Sequence, residues 1–305
     1  MILGIVGATA TGKSALSIAL AKRIGQAQII GADAMQLYRG MDIGTAKLSV
    51  AEREGIIHHQ LDVLEVTEEA SVAAYQRESR QDAQNILSQG DVPIFVGGSG
   101  LYLRAALDEF EFPGTDPQVR AEVTAELEAL GSHTMHKKLA ELDPIAAEKI
   151  PPQNSRRIIR ALEVIRLTGK PFTPALPAYT YHQTPTLQLG VRCEAEVAKE
   201  RIWQRTKTMF DQGLIAEVEA LIPLGLEQGK TASRATGYAQ ALQAIHGELT
   251  IEQAQEEISE ATWKLVKKQD KWFKRDPRIK WLDSTDPDMD RLTQTAWELY
   301  QQVAV

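Results

Sequence analysis

Short apolar runs ending in glycine alternate along this chain with longer stretches at helical spacing. Residues 2–6 read as a buried strand, and residues 15–24 as a helix. Residues 28–30 form a second short strand that ends in Gly31-Ala32-Asp33. Residues 71–89 are helical, with Ser71 placed to cap the start and Gly90 just past the end. Residues 92–96 predict a strand running into Gly97-Gly98-Ser99-Gly100, and residues 101–107 a helix. The alternation resumes with a strand at 187–191, a helix at 194–211, a helix after Gly213 and another opened by Thr236-Gly237-Tyr238. A long helix follows over 250–275, with Ile258, Ala261, Leu265 and Trp272 on one face. A strand at 279–282 and a helix at 288–303 complete the pattern. Strand–helix alternation of this kind predicts an α/β core, a central mostly parallel sheet flanked by helices.

Between them the pattern changes. Asp116 and Pro117 start a helix that includes Arg120, and helical periodicity continues to about Leu142. Pro144, Pro151 and Pro152 break it up, and Asn154 opens a helix to Leu167 carrying Arg156, Arg157, Arg160 and Arg166. Pro171, Pro174, Pro177 and Pro185 form the exit. No strand pattern interrupts this stretch, which predicts an all-helical insert over 113–186 between core segments 1–112 and 187–305.

Charge narrows the function classes. A net charge of −7 excludes a global basic signature for nucleic acid. No apolar stretch approaches membrane-spanning length, and the chain enters its first strand without a basic leader, so a cytoplasmic protein with no signal peptide is expected. The single cysteine, Cys193, forms no intrachain disulfide and reads as a small buried residue.

The chemistry is concentrated at strand ends. Gly7-Ala8-Thr9-Ala10-Thr11-Gly12-Lys13-Ser14 fits G-x-x-x-x-G-K-[ST] between a strand and a helix. Backbone N–H groups of such a loop line an anion site at a helix N-terminus, Lys13 adds charge, and the Ser14 hydroxyl can reach a Mg²⁺ held by the phosphates. Asp33 stands at the next strand end, where it can hold metal, act as a general base or merely cap its loop. Ser99 ends a third strand and can hydrogen-bond a diphosphate oxygen or an amine. Ligands collect beyond the carboxyl ends of parallel strands. The loop carrying Gln36, Tyr38, Arg39 and Gly44-Thr45-Ala46-Lys47 is unusually polar for a plain connection. His58 and His59 lack a third ligand at zinc-like spacing and read as hydrogen-bonding groups. Two basic clusters break the acidic average. One is Arg156-Arg157-Ile158-Ile159-Arg160. The other has eight Lys/Arg between Lys264 and Lys280 and is interleaved with Trp272 and Phe273, which makes a nucleic-acid backbone a candidate partner.

Taken together these motifs resemble the tRNA dimethylallyltransferase (tRNA isopentenyltransferase) family along nearly the whole chain. The block from Asp33-Ala34-Met35-Gln36 to Gly44-Thr45-Ala46-Lys47 is similar to the family's D-S-x-Q-x-Y-R-G-M-D-I-G-T-A-K. His58-His59-Gln60-Leu61-Asp62, Gly97-Gly98-Ser99-Gly100-Leu101-Tyr102, Arg160-Ala161-Leu162-Glu163-Val164 and Lys267-Lys268-Gln269 with Trp272-Phe273-Lys274 resemble further family motifs. The resemblance implies a P-loop NTPase-like core with a helical insert that clamps the tRNA anticodon stem-loop. It implies transfer of a dimethylallyl group from dimethylallyl diphosphate to the exocyclic amine of the adenosine 3′-adjacent to the anticodon. It implies Mg²⁺ on Ser14, diphosphate on residues 7–14, and catalytic roles for Asp33, Ser99, Lys13 and Arg205, with Asp33 as the base. It also implies tRNA contacts at Asp33, Ala34, Met35, Gln36, Ser99, Arg120, Arg156, Arg157, Ile158, Ile159, Arg160, Arg234, Gly237, Tyr238, Lys267, Lys268, Gln269, Trp272 and Lys274, in a monomeric enzyme with no membrane partner. Ser99 stands for the family's threonine, Ala34 for a serine, Trp263 for an arginine and Lys271 for a threonine. The runner-up is a P-loop small-molecule kinase, which leaves both basic clusters unexplained. A nucleotide-gated RNA-binding protein leaves the block at 33–47 unexplained.

Overall fold

The computed structural model describes residues 1–109, 111–172 and 178–304, so the exit prolines Pro174 and Pro177 lie outside the described residues. The chain divides into two compact units, Met1–Asp108 with Thr180–Val305, and Glu109–Tyr179.

The first unit is built on β1 (Ile2–Gly7), β2 (Ala27–Gly31), β3 (His58–His59), β4 (Val92–Gly97), β5 (Thr186–Arg192) and β6 (Lys280–Asp283). The sheet order is β3-β2-β4-β1-β5-β6 and every pairing is parallel. Chain order reverses direction at β1, with β4 on one side and β5 on the other, so the crevice beyond its carboxyl end is where such folds hold ligands. The period of two along β1 covers both faces of the sheet. Ile2 and Val6 join the core under α2 (Val72–Ser88) and α3 (Gly100–Leu107). Leu3 and Ile5 join the core under α1 (Lys13–Ile24) and α12 (Met289–Ala304). Ile5 is fully buried, and burying such a side chain contributes about 2 kcal/mol.

A third apolar cluster fastens the polar loop after β2. Tyr38 and Met41 from that loop pack with Leu214, Val218 and Leu221 of α9 (Leu214–Leu221), Tyr238 of α10 (Tyr238–Ile245) and Ile258 of α11 (Ile251–Phe273). Before these helices runs α8 (Ala195–Asp211), which carries Arg205.

Sequence reading misplaced three details here. The two-residue β3 at the sheet edge is too short to show in a hydrophobic pattern. Along α11 the buried residues are Ala254, Ile258, Ser259, Val266, Gln269 and Phe273, one position past the expected Leu265 and Trp272. Leu265 is exposed at 39% because it lines a cavity. Cys193 is half-buried.

The second unit, taken by itself, contains α4 (Pro117–Leu130), α5 (Ser132–Leu142), α6 (Pro144–Lys149) and α7 (Ser155–Thr168). Asp116 caps α4, accepting from the Gln118 and Val119 N–H groups, and the Asn154 side chain caps α7. Val123, Met135, Leu139, Ala146, Ile150, Ile158 and Leu162 form its core. The helix expected to run to Leu142 is two helices, because Gly131 adopts a φ of 79° between them. Residues 180–186, expected in the insert, fall in the first unit, where Tyr181 bridges Asp108 and its hydroxyl accepts from Gln188 Nε2 at 3.1 Å.

Candidate active site

Two cavities open beyond the strand ends. The larger, about 330 Å³, is lined by Thr9, Ala10, Gly12, Lys13, Ser14, Gly31, Asp33, Gln36, Gly97 and Gly98, among others. The smaller, about 130 Å³, is lined by Met35, Ile202, Met209, Ile258 and Leu265 together with threonines. Thr9, Asp33, Thr45 and Arg205 line both, so these four form the wall that the two cavities share.

The loop after β1 earns its shape from local bonds. Thr11 Oγ1 donates to the Ala8 carbonyl at 2.9 Å, and Lys13 Nζ donates to the same oxygen. Ala10 and Gly12 take positive φ values of 65° and 85°, the kind of backbone geometry from which anion-binding loops are built. Burial pushes the Lys13 ammonium down to about 8, Arg205 adds to the shift, and Asp33 opposes it. Burial also lowers Arg205, with Asp33 again opposing. An anion entering this cavity therefore meets two poorly solvated cations.

Asp33 Oδ1 accepts from the Met35 N–H at 3.0 Å, which closes a turn and leaves the carboxylate in the shared wall. The Ser99 hydroxyl accepts from the Ala34 N–H at 3.3 Å, fastening the Asp33 turn to the end of β4. Gln36 Nε2 and Arg205 both donate to the Thr45 carbonyl, at 3.1 and 3.5 Å.

Sequence reasoning overlooked Glu217. Its carboxylate accepts from the backbone N–H groups of Asp42, Ile43 and Gly44 and from the Tyr238 hydroxyl. It thereby anchors the segment that carries Thr45. A lone glutamate on an amphipathic helix gives no sequence signal of such a role. The loop's other tie is Lys47, whose buried ammonium donates to the Tyr38 carbonyl and to Asp42 and Asp62. His58 and His59 are occupied by the Ile56 carbonyl and Gln28 Oε1.

The expected RNA-contacting residues divide by exposure. Lys267, Lys268, Lys274 and Arg234 are exposed in the first unit, and Arg156 and Arg157 are exposed in the second, where Arg120 is half-buried. Six others are buried or half-buried. Ile158 is fully buried in the helical core, with Ile159 packed against it. Tyr238 is fully buried, its ring over Gly44 where a Cβ would come within 2.5 Å, and Gly237 is buried beside it. Gln269 is buried on the inner face of α11, accepting from the Thr9 N–H at 2.9 Å and donating to the Gly98 carbonyl at 3.0 Å. Trp272 is half-buried and closes over Gly100, whose missing Cβ makes room for the indole.

Parallel sheet, phosphate loop and shared-wall cavities together define a P-loop α/β protein with an anion site beside a second, smaller cavity. A family model for IPP transferase matches residues 36–276. The chain belongs to the IPP transferase family. It is 51% identical over 294 residues to a tRNA dimethylallyltransferase from Kineococcus radiotolerans, covering 94% of this chain and 92% of the relative. It superposes on a tRNA isopentenylpyrophosphate transferase from Bacillus halodurans with a TM-score of 0.72 and 34% identity, covering 99% and 95% of the two chains. A eukaryotic dimethylallyltransferase solved while acting on tRNA gives a TM-score of 0.83 at 25% identity, covering 97% of this chain and 77% of that one. Among the described residues, no helix is long and apolar enough to cross a membrane.

Proposed function

We propose that this chain is a tRNA dimethylallyltransferase, moving a dimethylallyl group from dimethylallyl diphosphate to the exocyclic amine of the adenosine 3′ to the anticodon. It does so in the cytoplasm and as a monomer. Its reaction class is that of its relatives, which are dimethylallyl and isopentenyl transferases, and this disfavours the kinase alternative. The observation that carries the residue roles is Asp33 in the wall shared by the phosphate-loop cavity and the smaller cavity.

The diphosphate occupies the phosphate-loop cavity, cradled by residues 7–14, with Lys13 and Arg205 taking up charge as the allylic C–O bond breaks. The five-carbon chain points towards Met35, Ile202, Met209, Ile258 and Leu265 in the smaller cavity. The adenine leaves its stack to bring its amine to the shared wall. There the nitrogen attacks the allylic carbon, the diphosphate departs, and the amine proton passes to Asp33. The amine is barely acidic, so proton removal accompanies attack. Ser99 keeps the Asp33 turn in place through Ala34. The single hydroxyl of Ser14 at the start of α1 fits Mg²⁺, which binds few protein groups and keeps phosphate oxygens and waters. That ion supplies further charge neutralisation to the diphosphate. The exposed lysines of α11 and the exposed Arg156 and Arg157 of α7 bind the anticodon stem-loop backbone, and the helical unit clamps it.

Mass analysis of nucleosides tests the reaction. Unmodified tRNA incubated with the protein, Mg²⁺ and dimethylallyl diphosphate, without ATP, yields a prenylated adenosine. Unchanged nucleosides from folded protein that binds the diphosphate would sink the reading. Asp33→Ala lowers the rate by roughly 10²–10⁴-fold with diphosphate affinity nearly intact; near-normal turnover would remove Asp33 as the base.

A further inference from the structure

Gln269 sits with Val266 and Phe273 on the inner face of α11, in line with its apolar residues. Its two amide ends are assigned without ambiguity. The Thr9 N–H can only donate, so it faces Oε1; the Gly98 carbonyl can only accept, so it faces Nε2. The side chain thus spans the ends of β1 and β4, neighbouring strands whose following turns line the phosphate-loop cavity. The fit is close, since a Cβ on Gly98 would come within 2.5 Å of Nε2. Lys267, Lys268 and Lys271, on the same two turns of α11, remain exposed.

We propose that Gln269 is a positioning residue for the diphosphate and not an RNA contact. It consumes the Thr9 N–H and pins the start of the phosphate loop to the Gly98 turn. The amides left for the anion therefore begin at Ala10, the first loop residue with positive φ. Without the pin, the loop must be ordered by the anion itself, at the expense of affinity. The lysines beside Gln269 keep the RNA role. This proposal rests on the diphosphate-binding reading above, yet it can be tested without the transfer reaction.

The full-length protein and two variants serve. Gln269→Met keeps length and approximate volume but loses both hydrogen bonds. Gln269→Glu keeps the acceptor for Thr9, loses the donor to Gly98 and adds negative charge beside the anion. Binding of inorganic diphosphate with Mg²⁺ is measured by calorimetry, tRNA binding by fluorescence anisotropy, Thr9 amide protection by hydrogen exchange, and folding by thermal melts. Gln269→Met is expected to weaken diphosphate about tenfold, and Gln269→Glu more, with faster Thr9 exchange. In both, tRNA affinity stays within about twofold of wild type, a range set by leaving the lysines intact. In steady state, KM for dimethylallyl diphosphate rises and KM for tRNA holds. Loss of tRNA affinity with diphosphate affinity intact overturns the proposal, as does no change in either. If the methionine variant does not fold, the glutamate variant carries the same arms. A wild-type protein that binds diphosphate but transfers nothing defeats the transferase reading alone.

Discussion

The two basic segments, 156–160 and 264–280, are similar as strings of letters, and each is split by its surroundings into cations that face solvent and cations bound inside the protein. In α7, Arg156 and Arg157 are exposed, while Arg160 donates to the carbonyls of Pro113 and Gly114 and pairs with the fully buried Glu163. In the other segment the α11 lysines face outward, while Arg278 grips Asp276, pairs with Asp108 and stacks over Tyr181. Burial alone would lower Arg278, but its two carboxylates more than offset this and hold it above its ordinary value. A run of positive charge is thus two populations. Those facing out are available to a phosphate backbone; those facing in secure the turns from which the helices project.

Substitutions can break that division. Arg278→Ala removes the cation shared by the buried Asp108 and Asp276, leaving Asp108 with Arg104 and Asp276 with Gln188, and should cost about 3 kcal/mol in chemical denaturation. Arg160→Ala should come next, at roughly 2 kcal/mol, because it strands Glu163; a variant as stable as Arg157→Ala would erase the distinction within α7. Lys267→Glu combined with Lys268→Glu should leave stability within about 0.5 kcal/mol. The same pair should weaken tRNA binding about tenfold and flatten its salt dependence by close to two counterions. If only diphosphate affinity falls, the outward-facing population is misassigned.

Lys13 sharpens the comparison at the smallest scale, as an inward cation meant for a ligand. Burial pushes its ammonium down to about 8, below the ordinary lysine range, so the charged form dominates below that pH and is lost above it. Affinity for inorganic diphosphate should therefore drop several-fold as pH rises through about 8, relative to Lys13→Arg, which stays charged. A wild-type curve parallel to that of the arginine variant would remove the lysine's titration from binding.

Much of this was legible beforehand. The phosphate loop needs a fixed spacing between a strand and a helix, a local requirement that a linear pattern displays in full. Caps such as Ser71, Asp116, Asn154 and Thr250 also act within three residues of themselves. By contrast, Glu217 meets Asp42–Gly44 more than 170 residues away, and Gln269 meets Thr9 across 260. No spacing rule reaches that far. Gln269 and Tyr238, which the resemblance implies as RNA contacts, have buried side chains. Gln269 is buried beside exposed lysines because adjacent residues on a helix point in different directions.

The sequence by itself determined the alternation of elements, the anion-binding loop, the base candidate at the second strand end and the presence of a helical unit. These follow from periodicity and from backbone geometry that a few adjacent residues dictate. Only the tertiary structure decided which charges face out, which polar groups fasten the site, and that Asp33 stands in the wall shared by two cavities. Those outcomes depend on which distant segments the sheet and its packed helices bring within hydrogen-bonding reach, and on which side chains that packing excludes from water.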